Sequence, residues 1–272
     1  MSSGIHHTQI AGTRWDANLY SRFSDHRLRP ALELLDRVPL EAPAVIYDLG
    51  CGTGNVTRII SQRWPSAKVH GLDSSREMLG KATAESSEIQ WVEADIQRWQ
   101  PGELPDLIYS NATLHWVPGH RELFRRLVDF LRPGGCLAVQ IPLNWNAPSH
   151  RLMPATLMDG GPDGTPLGTD ALRQAVARDW VESAEVYYDL LAGRARSVDI
   201  WETEYLQVLE GSDPVLEWVK STALRPILAG LDDKERPIYL AEYARRLRAA
   251  YPARADGHTL YPFRRLFMIA TV

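Results

Sequence analysis

From about residue 28 to 141, short apolar runs alternate with stretches whose apolar positions recur every three or four residues. The runs AVIYDL (44–49), AKVHGL (67–72), IQWVE (89–93), DLIYS (106–110) and CLAVQI (136–141) predict strands. VTRIISQRW, SREMLGKATAE and HRELFRRLVDFL between them predict helices. Strand–helix alternation predicts an α/β domain, a parallel sheet with helices on both faces. Pro133-Gly134-Gly135 stops the helix ahead of the last of these strands.

The pattern changes after residue 141. Prolines and glycines cluster between 142 and 170, as in DGGPDGTPLG, and predict loops. VESAEVYYDLLAGRA predicts a helix ending near Gly193, and VDIWETEYLQVL a long strand. DPVLEWVKSTALRPILAGL and DKERPIYLAEYARRLRAAY predict two helical stretches, and TLYPFRRLFMIATV a closing strand. Helices inserted between the last two strands are expected to cap one end of the sheet. The expected organisation is a polar, flexible tail over 1–13 and one domain over 14–272, with helical cap segments at about 142–195 and 212–251.

Composition narrows the class. Of 272 residues, 44% are hydrophobic and 24% charged, which is globular and predicts a full core. A net charge of −4 disfavours a nucleic-acid partner. Cys51 and Cys136 form no disulfide framework and suit a reducing, cytoplasmic setting. The first residues lack the apolar core of a signal peptide, and no run is long enough to span a bilayer, so no membrane partner is expected. The eight histidines show no metal-ligand spacing, so no metal is expected.

The chemistry concentrates in Asp48-Leu-Gly50-Cys51-Gly52-Thr-Gly54, between a strand and a helix. Gly50 and Gly52 are expected to let the backbone approach a ligand. The spacing is G-x-G-x-G rather than the dinucleotide G-x-G-x-x-G. Asp48 would repel a pyrophosphate but suits the cationic methionine amine of S-adenosylmethionine. Asp73, ending the second strand ahead of Ser74, can accept both ribose hydroxyls. Asp95 can bond the adenine amino group while Ile96 packs on the ring, and Asn111 lies at the same edge. The alternative for Asp73 and Asp95 is helix capping.

In order, DLGCGTG, GLDSS, EADI and LRPGG resemble the class I, Rossmann-like methyltransferases. Outside these motifs, WDANLYSRFSDHRLRPALELLDRVPL, SNATLHWVPGHRELF, AVQIPLNWNAPSH, VDIWETEYLQVL and YPFRRLFMIATV are similar to the trans-aconitate 2-methyltransferase family. The resemblance implies a seven-stranded, mostly parallel sheet whose last strand is antiparallel. It also implies S-adenosyl-L-methionine as donor and a tricarboxylate monomethyl ester as product. The DGGPDGTPLG loop has no counterpart in the family pattern.

A carboxylate acceptor needs cations. Arginine candidates are Arg27, Arg29, Arg225, Arg264 and Arg265, and strand alternation lets at most one of the last two face a site. His115 can orient a carboxylate or act as a base, beside Trp116. Trp15, Tyr20 and Phe23 can close over a sulfonium. Tyr188 is a further substrate-side candidate, with one of Tyr187 and Tyr188 expected in the core. Alternatives are another small acid, a phenol or an amine as acceptor, or a non-catalytic S-adenosylmethionine-binding protein. Asn111-Ala-Thr-Leu, where nucleobase methylases carry an NPPY-like turn, disfavours that substrate class.

Overall fold

Strand β1 (Val45–Leu49) is buried at every position, as its run of apolar residues, interrupted only by Asp48, requires of a strand covered on both faces. In the computed structural model, which describes residues 28–176, 180–220 and 222–272, it lies inside a seven-stranded sheet, third in order. The order is β3-β2-β1-β4-β5-β7-β6, with β2 Lys68–Asp73, β3 Gln90–Glu93, β4 Leu107–Asn111, β5 Cys136–Pro142, β6 Ser197–Leu209 and β7 Thr259–Thr271. β7 alone runs against its neighbours β5 and β6.

Helices α1 (Leu28–Asp36) and α2 (Asn55–Arg63) cover one face, burying Leu34, Leu35 and Ile60 against Ile46, Leu107 and Phe267. Helix α3 (Arg76–Glu85) follows β2, and Ser75 caps it. Helix α4 (His120–Asp129) covers the opposite face with Phe124 and Leu127. Among the described residues no helix is long and apolar enough to cross a membrane.

The helical cap has its own core and a structural reason for its place. β7 pairs with β5 only from Arg265 onward, whereas it pairs with β6 from Thr259. The hairpin therefore overhangs the sheet by residues 259–264, roughly 20 Å of strand. On this arm Tyr261 and Phe263 pack with Leu157, Val219, Ile227, Tyr239 and Tyr243. Those residues come from α5 (Pro148–Asp159), α8 (Pro214–Lys220), α9 (Arg225–Gly230) and α10 (Glu235–Ala250); α6 (Asp170–Val176) lies beside them.

Three expectations need correction. The stretch expected as loops contains α5. Its Pro148 stands in the first turn, where a missing N–H costs nothing, and Met153 and Leu157 are buried against the cap core. The stretch 213–231 is two helices, because Pro226 restarts a helix more readily than it continues one. Finally, α7 (Ala184–Ala192), expected in the cap, packs on α4 and β6 and gives Tyr187, Leu190 and Leu191 to the sheet core.

Candidate active site

The loop after β1 is tied down by Gly50 and Cys51, whose N–H groups both donate to the Leu72 carbonyl (2.7 and 3.0 Å). Gly50 and Gly52 both have positive φ (76° and 57°), yet they serve different ends. A Cβ on Gly50 would lie 2.0 Å from Thr113 Cγ2. That threonine already donates to the Gly50 carbonyl (3.1 Å). Gly50 is thus a packing glycine, against the expectation that it clears a ligand's path. A Cβ on Gly52 would meet nothing within 4 Å, so the open backbone surface is at Gly52.

Two carboxylates face this loop. Asp73, half-buried, accepts from Gly52 N (2.9 Å) through one oxygen and from Ser75 N (2.8 Å) through the other. Each oxygen retains capacity for a further donor. Asp48 is 3% exposed and accepts from Thr57 Oγ1 at 2.6 Å. Burial, opposed by that bond and reinforced by the charge of Asp73, pushes its carboxyl up to about 7. A cation set against Asp48 would reverse that shift and draw off its proton. Cys51 is pushed up by burial and by the same two carboxylates, and its thiol stays protonated. A nook with two carboxyl groups and an open glycine suits a ligand with both a diol and an ammonium.

The other expected cofactor positions divide. Ser74 is exposed beside Asp73. Asp95 is exposed and spends one oxygen on Gln97 N (2.9 Å), closing a turn rather than capping a helix. Ile96, expected to pack on the adenine ring, has its side chain buried in the α4-side core. Asn111 ends β4 with its Oδ1 sealed from solvent and without a hydrogen-bond partner among the described residues. Next to it, Ala112 has φ 53°, a left-handed conformation that costs alanine on the order of 1 kcal/mol. Its N–H on the Gln140 carbonyl (2.9 Å) helps to hold it there.

Asn111 and Ala112 also open onto a cavity of about 650 Å³ between the sheet edge and the cap. Its walls are apolar, with Met153, Leu172, Val176, Trp218, Ile227 and Phe263, and with Trp116, Trp145 and Trp180 around them. Two cations line it, Arg225 and Arg265, and among the described lining residues there is no aspartate or glutamate. Arg265 is 4% exposed, donates from Nη1 to Gln140 Oε1 (3.1 Å) and stacks over Phe263 at 4.6 Å. Arg264 points the other way, exposed and paired with Glu202, as strand alternation predicts. Arg225 begins α9 and is exposed at the cavity mouth.

His115 lines the cavity from the helical turn Leu114–Trp116, its Nδ1 sealed and without a hydrogen-bond partner among the described residues. Burial, and then the nearby Arg265 charge, lower its pKa to about 3, so the imidazole is neutral. Tyr188 does not join the cavity. It is 53% exposed on α7, while Tyr187 is buried and bonded to His120. Trp15, Tyr20, Phe23 and Arg27 lie outside the described residues. Arg29 is exposed and paired with Glu33 at 2.7 Å. Gln140, Asn144 and His150 were not foreseen as site residues, although all three stand in the AVQIPLNWNAPSH stretch.

A family model described as a methyltransferase domain matches residues 46–135. The chain is 46% identical to a trans-aconitate 2-methyltransferase of Azoarcus sp. (strain BH72), over 94% of this chain and 98% of that protein. It is 47% identical to one of Streptomyces avermitilis, over 94% and 96%. It resembles a Haemonchus contortus phosphoethanolamine N-methyltransferase 2, solved with S-adenosylhomocysteine, at a TM-score of 0.52 and 14% identity. That alignment covers 89% of this chain and 52% of the other. A Bacillus halodurans structure described as a putative methyltransferase gives 0.54 at 13% identity, over 89% and 98%. At such identities the two structures show the fold alone.

Proposed function

Since the chain belongs to the trans-aconitate 2-methyltransferase family and uses S-adenosylmethionine, we propose that it methylates one carboxylate of trans-aconitate, giving the monomethyl ester. The observation that carries this acceptor is the cavity, whose two arginines and apolar walls include no carboxylate among the described lining residues. An anion with several carboxylates suits it; an amine would find no counter-charge there.

S-adenosylmethionine supplies an electrophilic methyl group carried on a sulfonium. In this proposal Gly52 offers its open backbone, Asp73 takes the ribose hydroxyls and Asp48 the methionine ammonium. The free oxygen of Asp95 takes the adenine amino group. Asn111 and Ala112 stand where the cofactor nook meets the cavity. Arg265 meets one acceptor carboxylate with its planar fork, and Arg225 meets another at the mouth. The attacking carboxylate, with a pKa of about 4, is ionised at neutral pH and needs no base. His115 accordingly positions rather than deprotonates; a base with so low a pKa would serve a phenol poorly. The apolar walls exclude water, which strengthens the ion pair at the buried Arg265 and holds the reactants aligned. The two free cysteines support a reducing compartment, the cytoplasm.

Trp116, Trp145, Trp180 and Trp218 in the cavity walls give a direct test. With the cofactor site filled by S-adenosylhomocysteine, trans-aconitate should change tryptophan fluorescence saturably, and its neutral trimethyl ester should not. Equal responses to acid and ester would contradict recognition by charge.

A further inference from the structure

Among the remaining polar residues that line the cavity, Asn144, His150 and Thr222, His150 is unusually well held. His150 is the third residue of α5, after Pro148 and Ser149. Ser149 is fully buried, and its polar groups bond tyrosines from around the end of α10 and from β7. Its N–H donates to Tyr251 Oη (3.0 Å), and its carbonyl accepts from Tyr243 Oη (2.6 Å). Its hydroxyl lies 3.1 Å from both Tyr261 Oη and His150 Nδ1. The first turn is closed by His150 N and Arg151 N on the Ala147 carbonyl (3.0 Å each). The imidazole lines the cavity in a T-shaped contact with Trp145 (centroids 5.8 Å apart), and no hydrogen bond to Nε2 is found among the described residues.

A serine hydroxyl has one proton, so it must accept from one of its two partners and donate to the other. If Tyr261 donates to Ser149 and Ser149 donates to Nδ1, the imidazole proton is on Nε2, facing the cavity. The reverse order leaves a lone pair on Nε2, which an anion would repel. An anionic ligand therefore selects the first order. Burial lowers the pKa of His150 to about 4, so the ring enters as a neutral donor beside the two arginines. Its place in the first turn of a helix also disfavours the imidazolium.

We propose that His150 is a third anchor of the acceptor, its Nε2–H donating a hydrogen bond to one particular carboxylate of the bound acid. Ser149 is the positioning residue that keeps the proton on Nε2. This rests on the tricarboxylate acceptor proposed above, and the test separates the two. If the wild-type protein fails to turn over trans-aconitate, the acceptor is wrong. If the wild type turns it over, the variants judge His150.

His150→Leu should raise the KM for trans-aconitate about ten- to a hundredfold, the effect of one hydrogen bond to a charged group, and change kcat far less. His150→Gln, which keeps an amide donor, should stay within about threefold of wild type, and His150→Met, the second apolar variant, should behave as leucine does. Binding of S-adenosylhomocysteine, unchanged in all three, certifies the fold. Ser149→Ala keeps both backbone bonds and should raise KM severalfold, but add nothing in the His150→Leu background. Three diacids, cis-glutaconate, mesaconate and itaconate, each lack a different one of the three carboxylates of trans-aconitate. The one lacking the contacted group should inhibit His150→Leu as well as it inhibits wild type. An unchanged KM in His150→Leu and His150→Met would overturn the assignment. So would an equal loss for trans-aconitate and all three diacids, which would make His150 a packing residue.

Discussion

Gly52→Val is expected to leave a folded protein with no measurable affinity for S-adenosylmethionine, whereas Gly50→Ala is expected to damage the fold. Both positions carry positive φ, so each substitution meets the left-handed penalty of about 1–2 kcal/mol. At Gly52 that is nearly the whole structural cost, because no protein atom occupies the Cβ position. It is small beside the roughly 5–15 kcal/mol that holds a domain folded. The branched side chain would instead fill the surface over which the cofactor is proposed to lie. At Gly50 the methyl group would meet Thr113 at 2.0 Å. Overpacking of this kind adds about 1–3 kcal/mol. Thermal unfolding should show the larger loss in Gly50→Ala, partly restored by Thr113→Gly. Calorimetry should show lost cofactor binding in Gly52→Val. A Gly52→Val protein that binds normally would place the cofactor elsewhere.

Arg265→Ala is expected to lower kcat/KM for trans-aconitate by about a hundred- to a thousandfold, the cost of removing one partner from a buried charge pair. The guanidinium is 4% exposed, so water cannot replace it as a partner for the carboxylate. Arg265→Lys should recover only part of the loss, because a point charge lacks the planar fork. Arg225→Ala, at the exposed mouth, should cost less, and its effect should shrink with added salt. The adjacent Arg264→Ala is the control. That side chain is exposed on the other face, paired with Glu202, and its loss should stay within about twofold. Affinity for S-adenosylhomocysteine should survive in all four. Equal effects at 264 and 265 would remove Arg265 from the acceptor site.

The contrast between these neighbours was legible in the sequence, because a strand alternates its faces whatever surrounds it. The central strands were legible too, since doubly covered strands are mostly apolar. Asp73 could be placed at the loop because it ends a strand next to the one that feeds the glycines. The role of Gly50 could not be read, since its reason is Thr113, a residue 63 positions away that folding alone brings near. Helix α5 was hidden by its composition: Pro148 and Pro154 suggest loops, and only burial of Met153 and Leu157 against the tyrosines of α10 pays for the helix. Ile96 was read as packing on the adenine ring because the turn was legible, whereas its burial in the core was not. Neither the strained Ala112 nor His150 has a local signal. Their placement depends on β5 and on tyrosines a hundred residues downstream.

Product analysis is the most direct test of the central claim, that the anion-binding cavity delivers a carboxylate to the methyl group. Incubated with trans-aconitate and S-adenosylmethionine labelled in its methyl group, the protein should yield a singly methylated acid by mass spectrometry. Mild alkaline hydrolysis should release the label, as it does from an ester. Absence of labelled trans-aconitate, with good turnover of a phenol or an amine under the same conditions, would contradict the account while leaving the fold and the donor in place.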